Sequence, residues 1–534
     1  MDSAKVHDRR WAILGVLVVS LLVVVLDNTI LNVALPTIER TLHASQSQQE
    51  WMVDSYTLVF AGLLFTWGVL GDRYGRKRVL MLGLALFGAA SLASAYSTSP
   101  GMLIAMRALM GIGGAAVLPA TLSIITNVFE PAERGKAIGI WAGATGIAVA
   151  IGPITGGALL QAGFWWGSVF LVNVPVVIVG VIAVGLLVPE SKDPRPLRLD
   201  IPGVLLSIAG LMTLVYGIIK GGQLNDWTSP LVLATLLGGV ATVALFVLRE
   251  RSSDHPILDV SLFRNPAFSA ASAAITLNFF ALFGAMFYLT FYLQFVRDYD
   301  PLQAGIRMLP VAVAMAVFAP RSPVFVRRFG AKAVCAAGML LVTAAFLMYQ
   351  LLGQDTSIWV LEVLLFVQGV GMANVFAPAT ESIMSTLPRT RAGAGSAVNN
   401  TVRQVGGALG VAIIGSILSA AYRHGIEGSL TGLPPAAAHA AGESIGATNA
   451  VIAQASAHGL DMSAVSAAAN SAFIDAMHVA SIVSALVAFL GMLVVLRWLP
   501  SRAPVQVGEP ADVPAGAPAA AGVRGAPEPE GALL

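Results

Sequence analysis

The chain has 534 residues, of which 56% are hydrophobic and only 11% are charged, and its mean hydropathy is +0.78. Soluble domains carry about 25% charged residues, so this composition excludes a soluble globular protein. The net charge of +2 is spread over many short segments, which argues against a nucleic-acid partner, and the single Cys335 excludes an intramolecular disulfide and a cysteine metal site.

Long apolar runs predict an all-α integral membrane protein, because about 20 apolar residues span the hydrocarbon core of a bilayer. We place fourteen helices near residues 12–35, 51–71, 79–97, 101–124, 137–159, 168–188, 201–219, 229–248, 268–295, 303–320, 333–352, 357–383, 397–420 and 477–499. An even number of spans puts both termini on one side. If that side is the cytoplasm, 24 of the 31 Lys and Arg residues fall in cytoplasmic segments, as the positive-inside rule predicts.

The first predicted helix carries an acid, Asp27, in the middle of an apolar run. An acid at that depth costs about 2.5–3.5 kcal/mol on insertion scales, and we interpret it as a group that gains and loses a proton. The alternative is a structural acid held by a neighbouring helix. The stretch Leu-Asp-Asn-Thr-Ile-Leu-Asn-Val-Ala-Leu-Pro at 26–36 is similar to the helix 1 signature of the fourteen-helix drug:proton antiporters.

Asp54 lies near the predicted external start of the second helix. Similar transporters of lipophilic cations carry an acid at this place. The resemblance therefore makes Asp54 a candidate for proton coupling and for binding a cationic substrate. A plain acid at the membrane interface is the equal alternative.

A short, charge-dense turn joins the second and third predicted helices. It reads Gly-x-Leu-Gly-Asp-Arg-x-Gly-Arg-Lys, which resembles the loop between helices 2 and 3 of the major facilitator superfamily. The residues that carry the resemblance are Gly68, Gly71, Asp72, Arg73, Gly75, Arg76 and Lys77. We interpret them as a gate in which Asp72 pairs with Arg134 or with the start of a second-half helix. The alternative is a set of charges that only anchors the topology.

The fourth predicted helix contains Arg107, and an arginine in an apolar helix needs a partner or water. It resembles the helix 4 arginine of the same family, which implies a role in proton movement. The alternative is a charge that only holds helices together. The Gly-x-Gly-x-x-Ala that follows mimics a dinucleotide fingerprint, but no soluble βαβ unit surrounds it.

Glycines dominate the fifth predicted helix, where pairs four residues apart allow two backbones to approach closely. Pro153 lacks an N–H group and is expected to kink the helix. The run Gly-Pro-Ile-Thr-Gly-Gly at 152–157 resembles the antiporter signature of facilitators that export, while ordinary tight packing is the alternative. The residues of this antiporter helix are Gly143, Gly152, Pro153, Gly156 and Gly157.

A degenerate repeat indicates two halves. Arg-Tyr-Gly-Arg-Lys at 73–77 aligns with Arg-Phe-Gly-Ala-Lys at 328–332, and Asp72 aligns with Arg327, so the second copy lacks the acid. Internal repeats of this kind build many transporters. The predicted organisation is a cytoplasmic N terminus at 1–11, a six-helix bundle at 12–188, a linker with two extra helices at 189–267, a six-helix bundle at 268–500 with an external segment at 421–476, and a disordered cytoplasmic tail at 501–534.

In the second half, phenylalanines recur at four-residue spacing along the ninth predicted helix. Phe287 and Phe291 of this stripe, with Tyr292 that flanks it, are candidates for stacking on flat aromatic substrates, although such a stripe more often packs or faces lipid. Glu381, three residues after Pro378, is a candidate to receive a cationic substrate, with solvation by an inward cavity as the alternative. Arg403 opens the thirteenth predicted helix and resembles a family pattern of unclear role.

Together these motifs identify the chain as resembling the fourteen-helix drug:proton antiporters of the major facilitator superfamily. The resemblance implies a monomeric multidrug exporter in the bacterial cytoplasmic membrane that uses protons and confers antibiotic resistance. A dedicated exporter of one metabolite or self-made antibiotic on the same fold is the alternative. The sequence shows no nucleophile–base pair for an enzyme, no metal or organic cofactor site, and no phosphate loop for ATP.

Overall fold

The computed structural model describes residues 3–44, 46–193, 200–224, 226–252, 260–431, 433–458 and 460–501. The predicted tail therefore lies outside the described residues, apart from Ser501. All the regular elements in the described ranges are helical, which confirms the predicted all-α class.

The first half of the chain forms a bundle in which α1 packs against α5 and α7, while α4 lies against both α2 and α3. Its helices are α1 (Ser3–Leu42), α2 (Gln46–Tyr74), α3 (Arg76–Ala95), α4 (Pro100–Val128), α5 (Pro131–Gln161), α6 (Ser168–Leu171) and α7 (Asn173–Leu187). The α5 helix is continuous through Pro153. Two further helices, α8 (Ile201–Leu224) and α9 (Pro230–Ser252), pair with each other, and α8 lies against α2.

The second half forms a bundle in which α10 packs against α16 and α14 packs against α15. Its helices are α10 (Pro266–Phe291), α11 (Pro301–Arg307), α12 (Leu309–Phe318), α13 (Ser322–Phe329), α14 (Ala331–Met348), α15 (Ile358–Ser385), α16 (Ala392–Ile426), α17 (Pro435–Glu443), α18 (Ile445–Ala457) and α19 (Ser463–Trp498). A π-helical turn at Tyr292–Val296 extends α10.

The described residues contain thirteen helices that are long and apolar enough to cross a membrane, or fourteen when a bent pair counts as one span. That pair is Leu302–Phe318 and Ser322–Phe329, which meet at 56°. The predicted tenth helix ends near residue 320, whereas the structure continues in helical form to Phe329. The two prolines near the break, Pro320 and Pro323, explain the bend because proline interrupts the ladder of hydrogen bonds.

The repeat is visible in the backbone at two glycines. Gly75 precedes α3 with φ 115°, and its counterpart Gly330 precedes α14 with φ 84°. Both values lie in the region that residues with a side chain rarely adopt. The same backbone turn therefore joins consecutive spans at matching places in the two halves.

The two halves meet along α2 and α16 on one side and along α5 and α12 on the other. One face of the bundle contains the end of α2 and the starts of α1, α3, α5 and α16. We call it the basic face because Arg10, Arg76, Lys77 and Arg134 lie there. At this face the Arg10 guanidinium donates to the Glu133 carboxylate at 2.7 and 3.1 Å.

The segment predicted to be external, 421–476, is largely helical in the structure. The α16 helix runs into it as far as Ile426, and α19 begins at Ser463. Between them α17 and α18 pack on each other. Tyr422 and Thr448 share a hydrogen bond of 2.6 Å and both are buried, which fixes α18 to the end of α16.

Candidate functional site

A buried ion pair lies in the core of the first half. Asp27 of α1 and Arg107 of α4 are both fully buried, and the Nη1 atom of Arg107 donates to a carboxylate oxygen of Asp27. The other carboxylate oxygen accepts a hydrogen bond of 2.8 Å from Nδ2 of Asn173 on α7. Because a buried charge is stable only when it is paired and hydrogen-bonded, the three side chains form one unit. This unit joins α1, α4 and α7.

The Arg107 side chain also contacts the second helix. Its Nε atom donates to the backbone oxygen of Met52 at 3.0 Å, and its guanidinium carbon lies 4.4 Å from the centre of the Tyr56 ring. Asp54, the half-buried acid predicted to take part in proton coupling, lies on the same turn of α2 as Met52. The structure thus brings the segments around Asp27, Asp54 and Arg107 together, although they are far apart in sequence.

The glycines of α5 hold α1 close to this unit. A methyl group at Gly152 would lie 2.9 Å from the Leu26 carbonyl oxygen, and one at Gly156 would lie 2.9 Å from the Ile30 side chain. These distances are too short for any side chain to fit without displacement. The residues on either side of Asp27 are therefore packed directly against the backbone of α5.

Other glycines of α5 contact the second half of the molecule. A methyl group at Gly143 would lie 3.0 Å from the Cα atom of Ala316 on α12, and one at Gly157 would lie 3.2 Å from Leu302 on α11. Pro153 itself is next to Gly305. The α5 helix is therefore packed on both sides, against α1 within its own half and against α11 and α12 across the interface.

Asp72 joins the two halves at the basic face. Its carboxylate accepts hydrogen bonds from the backbone N–H groups of Gly393 at 2.9 Å and Ala394 at 3.1 Å, in the first turn of α16. Arg76, one turn further along the chain, donates to the same carboxylate at 2.7 Å and to the Thr390 carbonyl at 3.0 Å. Of the two partners proposed from the sequence, these hydrogen bonds place Asp72 at the start of a second-half helix.

The chemistry of this contact is that of a helix cap supplied from outside the helix. The first N–H groups of a helix have no partner within it and carry partial positive charge. The residue that precedes α16, Arg391, makes no side-chain cap. Asp72 takes that role from the other half, and Gly68 lets the backbones meet, since a methyl group there would lie 2.6 Å from the Gly393 carbonyl oxygen.

The remaining loop residues surround this contact. Gly75 donates its N–H to the Gly71 carbonyl at 3.0 Å, which closes the turn between α2 and α3. Lys77 donates to the Gly185 carbonyl at 2.7 Å, and Arg73 lies over the ring of Tyr74. These contacts lie within the first half, whereas the hydrogen bonds of Asp72 and Arg76 reach the second half.

Glu381 lies on α15 near the basic face. It is half-buried, and its Oε2 atom has no hydrogen-bond partner among the described residues. Arg134 of α5 is buried and close enough to attract the carboxylate. The attraction acts between the two halves of the molecule.

In the phenylalanine stripe of α10, the ring centres of Phe287 and Phe291 lie 5.1 Å apart. Phe287 packs beside Gly415 of α16, and both phenylalanine rings are partly exposed. Tyr292 differs from them, because it is buried and its hydroxyl donates to the Gly353 carbonyl at 2.8 Å. That hydroxyl is therefore used in a contact within the second half.

The structure adds one residue to the site, Asn173, and changes the predicted location of another, Arg403. Asn173 carries a polar side chain within an apolar run, which is a signal that could have been recognised beside Asp27. Arg403 was placed at the start of its helix, but α16 begins at Ala392, so Arg403 lies about three turns inside the helix. There it is buried among the rings of Trp141, Phe279 and Phe376.

Comparisons with known proteins agree with this architecture. A family profile described as Major Facilitator Superfamily matches residues 17–411. The chain is 36% identical over 453 residues to the multidrug efflux pump LfrA of Mycolicibacterium smegmatis, covering 85% of this chain and 89% of that protein. It is also 36% identical over 427 residues to the methyl viologen resistance protein SmvA of Salmonella typhimurium, covering 78% and 84%.

A solved structure matches the whole fold. The crystal structure of the human organic anion transporter MFSD10 (TETRAN) gives a TM-score of 0.60, covering 93% of this chain and 100% of that one, at 14% sequence identity. At that identity the likeness concerns the fold alone.

Proposed function

This chain belongs to the major facilitator superfamily, and we propose that it is a proton-coupled antiporter that exports lipophilic, chiefly cationic compounds by alternating access. The observation that carries the proposal is the fully buried pair of Asp27 and Arg107. Buried ionisable pairs within membrane helices mark ion pathways and proton relays. The names of relatives that match most of the chain support the export of drugs.

The coupling step uses the charge of Asp27. When its carboxylate takes up a proton, the attraction that binds α1 to the Arg107 guanidinium falls, and the contact between α1 and α4 weakens. A membrane potential supplies about 2.3 kcal/mol per elementary charge per 100 mV, which is enough to shift a conformational equilibrium. The proton gradient, without ATP or another cofactor, therefore drives the cycle.

The basic face suggests how the chain is oriented in the membrane. We place this face and both termini in the cytoplasm, in a multi-pass protein of the bacterial inner membrane, because positive charges remain on the cytoplasmic side. Asp72 closes the interface at this face. The present conformation is thus closed toward the cytoplasm, and a substrate enters from the cytoplasm once the contact with α16 breaks.

The acids near the interface favour positively charged substrates. Asp54 and Glu381 offer carboxylates, and Phe287 and Phe291 offer aromatic faces for cation–π contact. A single chain contains all these groups and both halves of the transporter. We therefore propose that the monomer is the transporting unit.

The test uses proteoliposomes with an imposed pH gradient and ethidium as the substrate. Asp27→Asn keeps the shape of the side chain and removes its charge, so we expect proton-driven transport to fall at least a hundredfold. Asp461→Asn is the matched control, because Asp461 is an exposed acid that caps Ser463. Unchanged pH-driven ethidium transport in Asp27→Asn would refute the coupling role.

The dedicated exporter of a single compound is separated from the multidrug exporter by a substrate panel. The panel contains ethidium, methyl viologen and several uncharged drugs, each tested in the same proteoliposomes. Transport of several unrelated cations supports the multidrug function. A single transported compound would show that the alternative is correct.

A further inference from the structure

Arg403 is a buried cation in an unusual setting. It is 7% exposed, and its Nη1 atom has no hydrogen-bond partner among the described residues. Its guanidinium carbon lies 5.5 Å from the ring centre of Phe279, 5.8 Å from that of Trp141 and 6.0 Å from that of Phe376. We call these three rings and the guanidinium the Arg403 cage.

The rings of the cage do not satisfy the buried charge. Removing a guanidinium from water costs several kcal/mol, whereas a desolvated cation–π contact returns about 2 kcal/mol at its best distance. All three rings here lie near the outer limit of about 6 Å for such contacts. Arg107 also has one nitrogen without a partner among the described residues, but it has a carboxylate, a backbone oxygen and a ring at 4.4 Å, which Arg403 does not match. Within the described residues, the Nη1 atom of Arg403 therefore lacks an acceptor.

A second donor without a partner lies on the same face of α16. Asn399 is one turn before Arg403 and is fully buried. Its Oδ1 atom accepts a hydrogen bond of 3.1 Å from Thr380, but its Nδ2 atom has no partner among the described residues. Residues four apart on a helix are neighbours. Two buried donors, Arg403 Nη1 and Asn399 Nδ2, thus lie on residues one helical turn apart and lack acceptors in the part of the chain that the structure describes.

The cage is built from both halves of the molecule. Trp141 belongs to α5, and its Nε1 atom donates to Thr121 of α4 at 3.2 Å, so the ring is attached to the first half. Phe279 and Phe376 belong to the second half and pack edge to face, 5.0 Å apart. When the halves separate at the basic face, Trp141 leaves with the first half, and the other members of the cage remain together.

We propose that the surface exposed by the withdrawal of Trp141, formed by Arg403, Asn399, Phe279 and Phe376, binds planar aromatic carboxylates. The aromatic ring of the ligand takes the place of the Trp141 ring, and its carboxylate accepts hydrogen bonds from the two unpaired donors. Closure of the basic face returns Trp141 to its position and displaces the ligand. The site deepens the proposed export function, because it rests on alternating access and extends the substrates to anionic or zwitterionic aromatic compounds.

Charge and shape both select this class of ligand. A cation is repelled by the Arg403 guanidinium, and an uncharged aromatic hydrocarbon leaves two buried donors without acceptors, which costs about 1–3 kcal/mol for each. A non-aromatic carboxylate forms the hydrogen bonds but loses the stacking on Phe279 and Phe376. A planar aromatic acid satisfies both requirements.

The test measures binding of 2-naphthoate to the full-length protein in lipid nanodiscs by equilibrium dialysis. We expect saturable binding that weakens at least tenfold in Arg403→Gln and also in Arg403→Lys, because lysine lacks the planar fork of donors. Arg497→Gln is the matched control, since Arg497 lies 5.8 Å over the ring of Trp498 at the end of α19. Equal affinity in wild type and Arg403→Gln, or equally tight binding of 2-methylnaphthalene, would overturn the site.

A second variant changes binding in the opposite direction. Trp141→Ala removes the ring that competes with the ligand, so 2-naphthoate should bind more tightly than to the wild type. Unchanged or weaker binding in this variant, with ethidium binding retained as a check of folding, would contradict the displacement by Trp141. Ethidium transport by the wild type tests the proposed function separately from this site. If the wild type does not transport ethidium, proton-driven export of cations is refuted. Weaker binding of 2-naphthoate to Arg403→Gln would still support the site in that case.

Discussion

The contact between Asp72 and α16 predicts how the protein opens at the basic face. Asp72→Asn removes the charge that accepts two backbone hydrogen bonds across the interface, at 2.9 and 3.1 Å. Hydrogen bonds to a charged group contribute about 1.5–3 kcal/mol each, and asparagine retains one neutral acceptor. We therefore expect the closed state to lose roughly 2 kcal/mol relative to the open state. That is about a thirtyfold change in their ratio.

The change is measured as a distance between spin labels at the basic face. The labels are placed at Glu130 and Arg328, which are exposed residues of the first and second half, in a Cys335→Ala background that removes the single native thiol. Double electron–electron resonance should show a short distance in the parent protein and a longer one in Asp72→Asn. The same labels with Asp461→Asn control for the loss of one acid. An unchanged distance distribution in Asp72→Asn would refute the reasoning.

Three further predictions follow from the packing and charges. Gly152→Val places a side chain against the Leu26 carbonyl and should destabilise the protein by about 1–3 kcal/mol and lower ethidium transport, whereas Gly15→Ala, with no neighbour within 4 Å, should change neither melting temperature nor transport. Gly68→Ala places a methyl group against the backbone of Gly393 and should lengthen the same spin-label distance, whereas Gly101→Ala, with no neighbour within 4 Å, should not. Equal distances in the two variants would contradict close packing of α2 on α16. Hydrogen bonds from the Arg249 guanidinium hold the pKa of Asp200 below its usual range, so the stability from this pair is complete above about pH 3.9 and is lost as pH falls through the folded-state pKa. Arg249→Gln should thus lower the melting temperature at pH 7 more than at pH 3, and an equal loss at both values would exclude this pair as the cause.

The predictable part of the structure was the part encoded locally. Apolar runs gave the spans, and the turn ending at Gly75 identified its repeat at Gly330, because both need a backbone conformation that glycine adopts easily. The acid Asp27 and the arginine Arg107 were each recognised by their cost in an apolar helix. What the sequence did not show was that they pair, since 80 positions separate them.

The contacts that depend on tertiary packing were harder to predict. Asp72 had two possible partners, and only the meeting of α2 with α16 selects the backbone of Gly393 and Ala394. Tyr292 directly follows Phe291 and lies one turn after the buried Tyr288, so it is off the phenylalanine stripe and its hydroxyl donates to Gly353. Helix length mattered for Arg403, which is deep in the bundle because α16 begins earlier than its apolar run.

The pair of helices between the halves has a consequence for the surrounding lipid. The α8 helix contacts both halves, with Met212 against Gly62 of α2 and Gly222 against Ala412 of α16. Phe246 of α9 also packs on Phe65 of α2. These helices therefore separate the α2–α16 interface from the acyl chains of the bilayer, while no further pair of described helices covers the α5–α12 interface. The two lateral sides of the transporter therefore differ. A drug dissolved in the membrane reaches the α5–α12 interface directly, whereas α8 and α9 lie between the lipid and the α2–α16 interface.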